Sequence, residues 1–167
     1  MKATMKKVLI CLMAFTVALS SLGVNASAAS KKTSYSSTDL KYLTAIIYCE
    51  AGNQSYKGKV AVANVVLNRK KSKKFPNSIK GVIYQKGQFT PAKSGSLAKA
   101  LKKYEGKTKY GYGEKKQMEE CKKAAKAALN GKYVVSKSTY FFTMYRSKSA
   151  IKKKYPKAVF IGDHYFR

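Results

Sequence analysis

Acidic residues are scarce in this chain. Seven Asp and Glu stand against 35 Lys and Arg, a formal net charge of +28 over 167 residues. Histidine is scarcer still, with His164 the single one. A catalytic zinc usually takes about three protein ligands, commonly His, so one His argues against a zinc amidase; no metal or cofactor is expected. Serine chemistry lacks its G-x-S-x-G elbow. Cysteine is sparse too: Cys11 lies in the N-terminal leader, leaving Cys49 and Cys121, which can make at most one disulfide with each other. No internal repeat is visible.

The leader is an export signal in form. Lys2, Lys6 and Lys7 precede a mostly apolar run from Val8 to about Val24, followed by Ala26-Ser27-Ala28. The run is too short and wrongly flanked for a good membrane span, and the small residues fit an A-x-A cleavage site. Residues 1–28 are thus expected to be a secretory signal peptide, residues 29–36 a disordered lead-in, and residues 37–167 one catalytic-sized domain. Losing the three leader lysines still leaves +25. Such a surface seeks a polyanion. For an exported, wall-associated monomer that means peptidoglycan carboxylates and anionic wall polymers, with no nucleic acid and no stable membrane insertion.

Ser36 and Asp39 form a capping-box pattern, and Leu40, Leu43, Ile46, Ile47 and Ala51 then recur at helical spacing, predicting a helix over Ser37–Ala51. Val60 to Leu67 is valine-rich, but Ala61, Ala63 and the Asn64/Asn68 pair favour a buried helix over a strand. The two asparagines either line a cleft or make interhelical hydrogen bonds. A short helical piece follows through Tyr84, then a loop from Gln85 to Ser96, a helix from about Glu114 to Leu129 stopped by Asn130-Gly131, and β-rich stretches at Tyr133–Tyr145 and Ala158–Phe166. The fold class is α+β, helices first, with a small C-terminal antiparallel β-sheet.

One of the seven acids is out of place. Asp39, Glu105, Glu114, Glu119 and Glu120 fall at helix starts or in polar segments. On the first helix, at roughly 100° per residue with Leu40 at zero, Glu50 falls at about 280°, between Ile46 at about 240° and Leu43 at about 300°. A carboxyl group inside an apolar stripe has its charged form disfavoured and can hold a proton near neutral pH, as a general acid acting on a glycosidic oxygen must. The alternative is a buried Glu satisfied by a cation such as Arg69.

The segments Leu43-Thr44-Ala45-Ile46-Ile47-Tyr48-Cys49-Glu50-Ala51 and Gly58 through Arg69 closely resemble the SleB/CwlJ-like cell-wall hydrolase family of spore cortex-lytic enzymes. The resemblance continues through Phe75-Pro76, Gly81-Val82-Ile83-Tyr84, Gly87-Gln88-Phe89-Thr90-Pro91, Tyr140-Phe141-Phe142 and Ile161 to Phe166. It implies a lysozyme-like, lytic-transglycosylase-type helical domain that cuts peptidoglycan glycan strands, with Glu50 catalytic. Two departures stand out: similar proteins usually carry Gly at the position of Cys49 and often a second Glu at that of Gln54. Hydrolysing glycosidases place two carboxyl groups across the scissile bond. A single Glu suits the transglycosylase route, in which the muramoyl C6 hydroxyl is the nucleophile and an anhydromuramoyl end results.

Gln88, Phe89 and Thr90 on the loop, with Tyr140, Phe141 and His164 near the sheet, are the candidate saccharide-binding residues, since aromatics beside hydrogen-bonding groups suit sugars. Phe89, Phe141 and Phe166 equally suit a core. Two rival readings remain. One is a peptidase using Cys49 and His164; the other is a non-enzymatic cationic protein that binds wall polymer by charge.

Overall fold

The computed structural model describes residues 35–167. The expected signal peptide and cleavage site, and the expected lead-in up to residue 34, lie outside the described residues. No helix among those described is long and apolar enough to cross a membrane.

Among the described residues seven helices and three strands follow one another: α1 Ser37–Ala51, α2 Tyr56–Lys71, α3 Ile79–Tyr84, α4 Thr90–Ser94, α5 Ser96–Tyr104, α6 Glu114–Leu129, β1 Phe142–Met144, α7 Lys148–Lys154, β2 Val159–Ile161 and β3 His164–Phe166. The strands form one antiparallel sheet in the order β1-β3-β2. Its rows pair Phe142, Phe166 and Val159 at one end and Met144, His164 and Ile161 at the other. Helix α1 starts where the capping signal places it, with the Ser36 hydroxyl accepting the Asp39 N–H at 2.9 Å.

Helix α2 is the centre. Every residue from Gly58 to Arg69 is buried, with α1, α3 and α6 packed around it. Burial on all sides explains why Val60, Val62, Val65 and Val66 sit in a helix: the β-propensity of valine is a weak preference and packing overrides it. Leu43, Ile46 and Ile47 of α1 complete the core at zero exposure, each side chain stabilising the fold by roughly 1.5–3 kcal/mol.

A helix buried all round must find partners for its polar groups. Asn64 Nδ2 donates to the Lys132 carbonyl at 2.8 Å and its Oδ1 accepts the Val134 N–H at 2.8 Å. Asn68 Nδ2 donates to the carbonyls of Ser136 at 2.9 Å and Thr139 at 2.8 Å. Neither asparagine lines a cleft or bonds another helix. Together they pin the segment that leads from α6 into the sheet.

The structure corrects two expectations. The stretch 85–96 is not all loop, because Thr90–Ser94 and the start of α5 are helical; Pro91 is tolerated near a helix start, where its missing N–H costs nothing. Helix α5 buries Leu97 and Ala100, which with Leu101 and Tyr104 fall at i, i+3, i+4 and i+7, a helical signal that the sequence does carry in this short stretch. The β-rich 133–145 stretch yields a strand only at its end, since residues 132–140 spend their backbone groups on α2.

Asn64→Ala leaves a carbonyl and an N–H without partners and should cost about 2–4 kcal/mol in urea unfolding. A loss below about 1 kcal/mol would show that water replaces the asparagine and that the anchor is not needed.

Candidate active site

Glu50 occupies the last turn of α1, one residue before its end. Gly52 comes next, and a Cβ there would lie 2.5 Å from the Tyr48 carbonyl oxygen and 3.3 Å from the Gln117 side chain of α6. The hard contact is with the Tyr48 carbonyl of α1 itself, so only glycine fits at this end of the helix, just past the point where the Glu50 side chain emerges; the flexible Gln117 side chain can move aside.

It emerges between two adjoining cavities. One, of about 500 Å³, is lined by Tyr48, Pro91, Ser94, Ser96, Lys99, Lys103 and Glu114; the other, of about 430 Å³, by Arg69, Gln88, Phe142, Thr143, Met144 and His164. Cys49, Glu50 and Thr90 line both. The carboxyl therefore stands midway along a groove, between a wall built from α4, α5 and the start of α6 and a wall built from β1 and β3.

No cation among the described residues lies within ion-pair distance of Glu50. Burial alone raises its pKa above the ordinary carboxylate range. The alternative partner, Arg69, is committed elsewhere: Nε donates to the Tyr140 carbonyl at 2.7 Å, and the guanidinium stands over the rings of Phe75, Phe89 and Phe141 at 5.4, 5.2 and 5.2 Å. Burial lowers the Arg69 pKa to about 10, and its Nη1 has no partner.

Of the six candidate saccharide residues, the structure brings Gln88, Thr90 and His164 to the groove with Glu50. It does not bring Phe89, Tyr140 or Phe141. Phe89 is core, packed under Arg69; Tyr140 stacks on Phe75 at 5.6 Å; Phe141 is sandwiched between the guanidiniums of Arg69 and Arg167. Phe89 and Phe141 thus serve cation–π stacking around two arginines, and Tyr140 serves ring stacking on Phe75. His164 is buried, and desolvation lowers its pKa, favouring the neutral imidazole.

Sequence reasoning missed the Lys103–Glu114 pair in the other wall. Lys103 Nζ reaches both Glu114 oxygens, one of which also accepts the Gly111 N–H, so Glu114 is held ionised, its pKa below the usual range. Glu114 opens a helix, and nothing in its local sequence distinguishes it from a solvated first-turn acid. Gln54 stands outside the groove. Its amide donates to Asp163 at 2.9 Å and accepts the Asp163 N–H at 3.2 Å, locking the β2–β3 turn.

Cys49 and His164 line one cavity without a hydrogen bond between them, and burial with the neighbouring Glu50 pushes the Cys49 thiol up to about 12. A thiolate nucleophile needs the opposite shift. Both cysteines are free.

The Cell Wall Hydrolase family pattern matches residues 53–167, and the chain belongs to that family. It is 30% identical over 132 residues to a spore cortex-lytic enzyme of Halalkalibacterium halodurans, covering 79% of this chain and 35% of that protein. A spore cortex-lytic enzyme of Bacillus subtilis is 40% identical over 73 residues, 44% of this chain and 24% of the relative. The chain thus spans less than half the length of these relatives. Among solved structures, the catalytic domain of the germination-specific lytic transglycosylase SleB from Bacillus anthracis superposes with a TM-score of 0.58 at 28% identity, covering 79% of this chain and 95% of that domain. The Bacillus cereus SleB catalytic domain gives 0.55 at 26% identity, with 83% and 95% covered. The mostly helical α+β, lysozyme-like architecture expected from the resemblance is the one observed. The family match begins three residues after Glu50, so the role of Glu50 rests on its own geometry.

A carboxyl whose folded pKa lies above its unfolded value binds its proton more tightly in the folded state. Its stabilising contribution is present below the unfolded pKa and is lost as pH rises through the folded one. Glu50→Gln should therefore melt at a higher temperature than the parent at pH 8, with the difference shrinking below the ordinary carboxylate range. A parent more stable than the variant at pH 8 would mean that the ionised carboxylate has a partner.

Proposed function

We propose that this protein is an exported, wall-associated enzyme that cuts the glycosidic bond between muramoyl and glucosaminyl residues of peptidoglycan, with Glu50 as its single acid and base. The observation that carries this is a sheltered carboxyl, unpaired and of raised pKa, standing between two cavities along one groove. A glycan strand laid in the groove has its bonds on both sides of Glu50. Glu50 protonates the leaving glycosidic oxygen as its bond to muramoyl C1 breaks. The same carboxylate then takes the proton of the muramoyl C6 hydroxyl as that oxygen bonds C1, regenerating the acid and leaving an anhydromuramoyl end. Gln88, Thr90 and neutral His164 supply hydrogen-bonding groups along one wall. The leader and the +28 charge support export and attraction to peptidoglycan and other anionic wall polymers.

Glu114 supports a second reading. Its pKa is lowered by Lys103 and the Gly111 N–H while that of Glu50 in the same groove is raised by burial, and environments that push two carboxyl pKa values apart mark acid and base in hydrolytic glycosidases. Against it, Lys103 and the Gly111 N–H already occupy the Glu114 oxygens, leaving little capacity to activate water.

Mass spectrometry of digested peptidoglycan separates these readings. Anhydromuramoyl ends, with cleavage lost by roughly 10²-fold or more in Glu50→Gln and largely kept in Glu114→Gln, are expected. Reducing muramic ends that vanish in Glu114→Gln would establish hydrolysis by two carboxylates. Lysis that survives Glu50→Gln and collapses with salt would leave only charge-driven binding.

Cys49 separates the enzyme from a peptidase. Alkylation should block cleavage because the thiol lines both cavities, so inhibition alone decides nothing. Cys49→Ser should retain glycan cleavage and resist the alkylating agent, whereas release of free stem peptides that stops in Cys49→Ser would restore the thiol mechanism.

A further inference from the structure

A third cavity, of about 560 Å³, lies at the other end of the sheet and shares no lining residue with the Glu50 groove. It opens beside Phe166 and Val159, whereas Met144 and His164 of the opposite row line the groove together with Phe142, the β1 member of the Phe166 row. Pro156, Ala158 and Val159 give it an apolar wall; Lys154, Lys157 and Arg167 give it three cations. No carboxylate side chain lines it, and none of the three cations is in an ion pair among the described residues.

Arg167 distinguishes this cavity from the rest of a basic surface. Its guanidinium lies 4.7 Å from the Phe141 ring centre and 4.5 Å from that of Tyr155. Phe141 is itself backed by Arg69 at 5.2 Å, and Tyr155 stacks on Tyr165 at 6.0 Å. Although Arg167 is exposed, the two rings restrict its guanidinium, so it loses less freedom on binding than an unsupported arginine would, and its N–H fork donates to no protein group among the described residues. A planar, pre-organised fork is the natural receptor for a carboxylate, and lysines at the rim add attraction without fixing geometry.

We propose that this cavity binds the peptide side chain of peptidoglycan, with Arg167 taking a peptide carboxylate and the Pro156, Ala158 and Val159 wall taking its alanine methyl groups. The occupant is set by charge complementarity combined with an apolar wall: a short acidic peptide offers both features, whereas a bare phosphodiester chain offers only charge. The inference rests on peptidoglycan being the substrate. It adds a second contact to the same polymer, and two linked contacts raise overall affinity beyond either alone.

The test is a binding titration, independent of cleavage, on the Glu50→Gln protein with two probes: the tetrapeptide released from peptidoglycan by an amidase, and the same peptide with its carboxylates amidated. Saturable binding of the first and none of the second is expected, weakened at least about tenfold by Arg167→Gln and a few-fold by Lys157→Ala. Lys157 is exposed, so its variant decides the matter if Arg167→Gln fails to fold. Absence of saturable binding, equal binding of the amidated peptide, or affinity unmoved by either substitution would overturn the proposal. So would displacement of the peptide by poly(glycerol phosphate) that binds more tightly and with the same sensitivity to Arg167→Gln, which would assign the cavity to phosphate polymers. Failure of glycan cleavage with peptide binding intact would bring down the catalytic reading alone.

Discussion

Helix α2 is buried on every side from Gly58 to Arg69, and the three buried polar residues of its C-terminal half, Asn64, Asn68 and Arg69, all make their hydrogen bonds to one stretch of backbone. The carbonyls of Lys132, Ser136, Thr139 and Tyr140 are the acceptors. This stretch has little regular structure of its own, so the helix acts as its ladder partner. The sheet inherits the position: β1 begins two residues after Tyr140, and β3 and β2 add to it in register. The sheet wall of the groove is thus set by side chains of a helix that itself contributes only Arg69 to the site.

The opposite wall is held by other means. Helices α4 and α5 are short, and the connection to α6 is tied by Lys103, Glu114 and Gly111, with the Tyr110 hydroxyl donating to the Lys103 carbonyl at 2.7 Å. These are partly exposed contacts between charged groups, individually weak. The sheet wall is anchored by hydrogen bonds from fully buried side chains and the other wall by partly exposed ones, so local opening should concentrate on the α4–α5 side. A groove that must admit a long polymer has use for one rigid wall and one compliant one.

How much of this was legible in the sequence depends on the kind of signal each part sends. The span of α1 and the odd placement of Glu50 were readable because both depend on periodicity within one helix. Helix α6 was readable for the same reason, with Asn130-Gly131 as its stop. The arrangement of the aromatics was not. Phe89, Tyr140 and Phe141 carry the residue types of a sugar platform, yet two arginines distant in sequence claim the faces of Phe89 and Phe141, and Phe75 covers Tyr140. Composition identifies an aromatic but not which side of its ring is already occupied. Asn64 and Asn68 were recognisable as polar groups on a buried helix, but their partners are backbone atoms, which leave no trace in residue identity. Glu114 entered the groove through the fold of the 105–113 connection, a feature without periodicity.

Glu50 carries a cost that the rest of the molecule avoids. Buried Lys59 donates to the Gln54 carbonyl at 2.6 Å and reaches Glu120 at 3.1 Å; buried Thr44 donates to the Leu40 carbonyl at 2.7 Å; Gln54 is satisfied by Asp163. Among the charged side chains withdrawn from water, Glu50 lacks any ion-pair partner and Arg69 keeps an unsatisfied Nη1, and these two line the same cavity. The position of Glu50 adds to the strain, because the C-terminal end of a helix carries partial negative charge and disfavours an anion there, in the same direction as burial. A glutamine or an apolar residue would suit the site better if stability alone were at stake. Retaining a carboxyl where both the low dielectric and the helix end oppose its ionisation is what a group that must deliver a proton requires. Asn68 Oδ1 and Gln85 Oε1 are also buried without partners, but the uncompensated charged groups, Glu50 and Arg69, gather in one groove, which supports the proposed site without appeal to any family relationship.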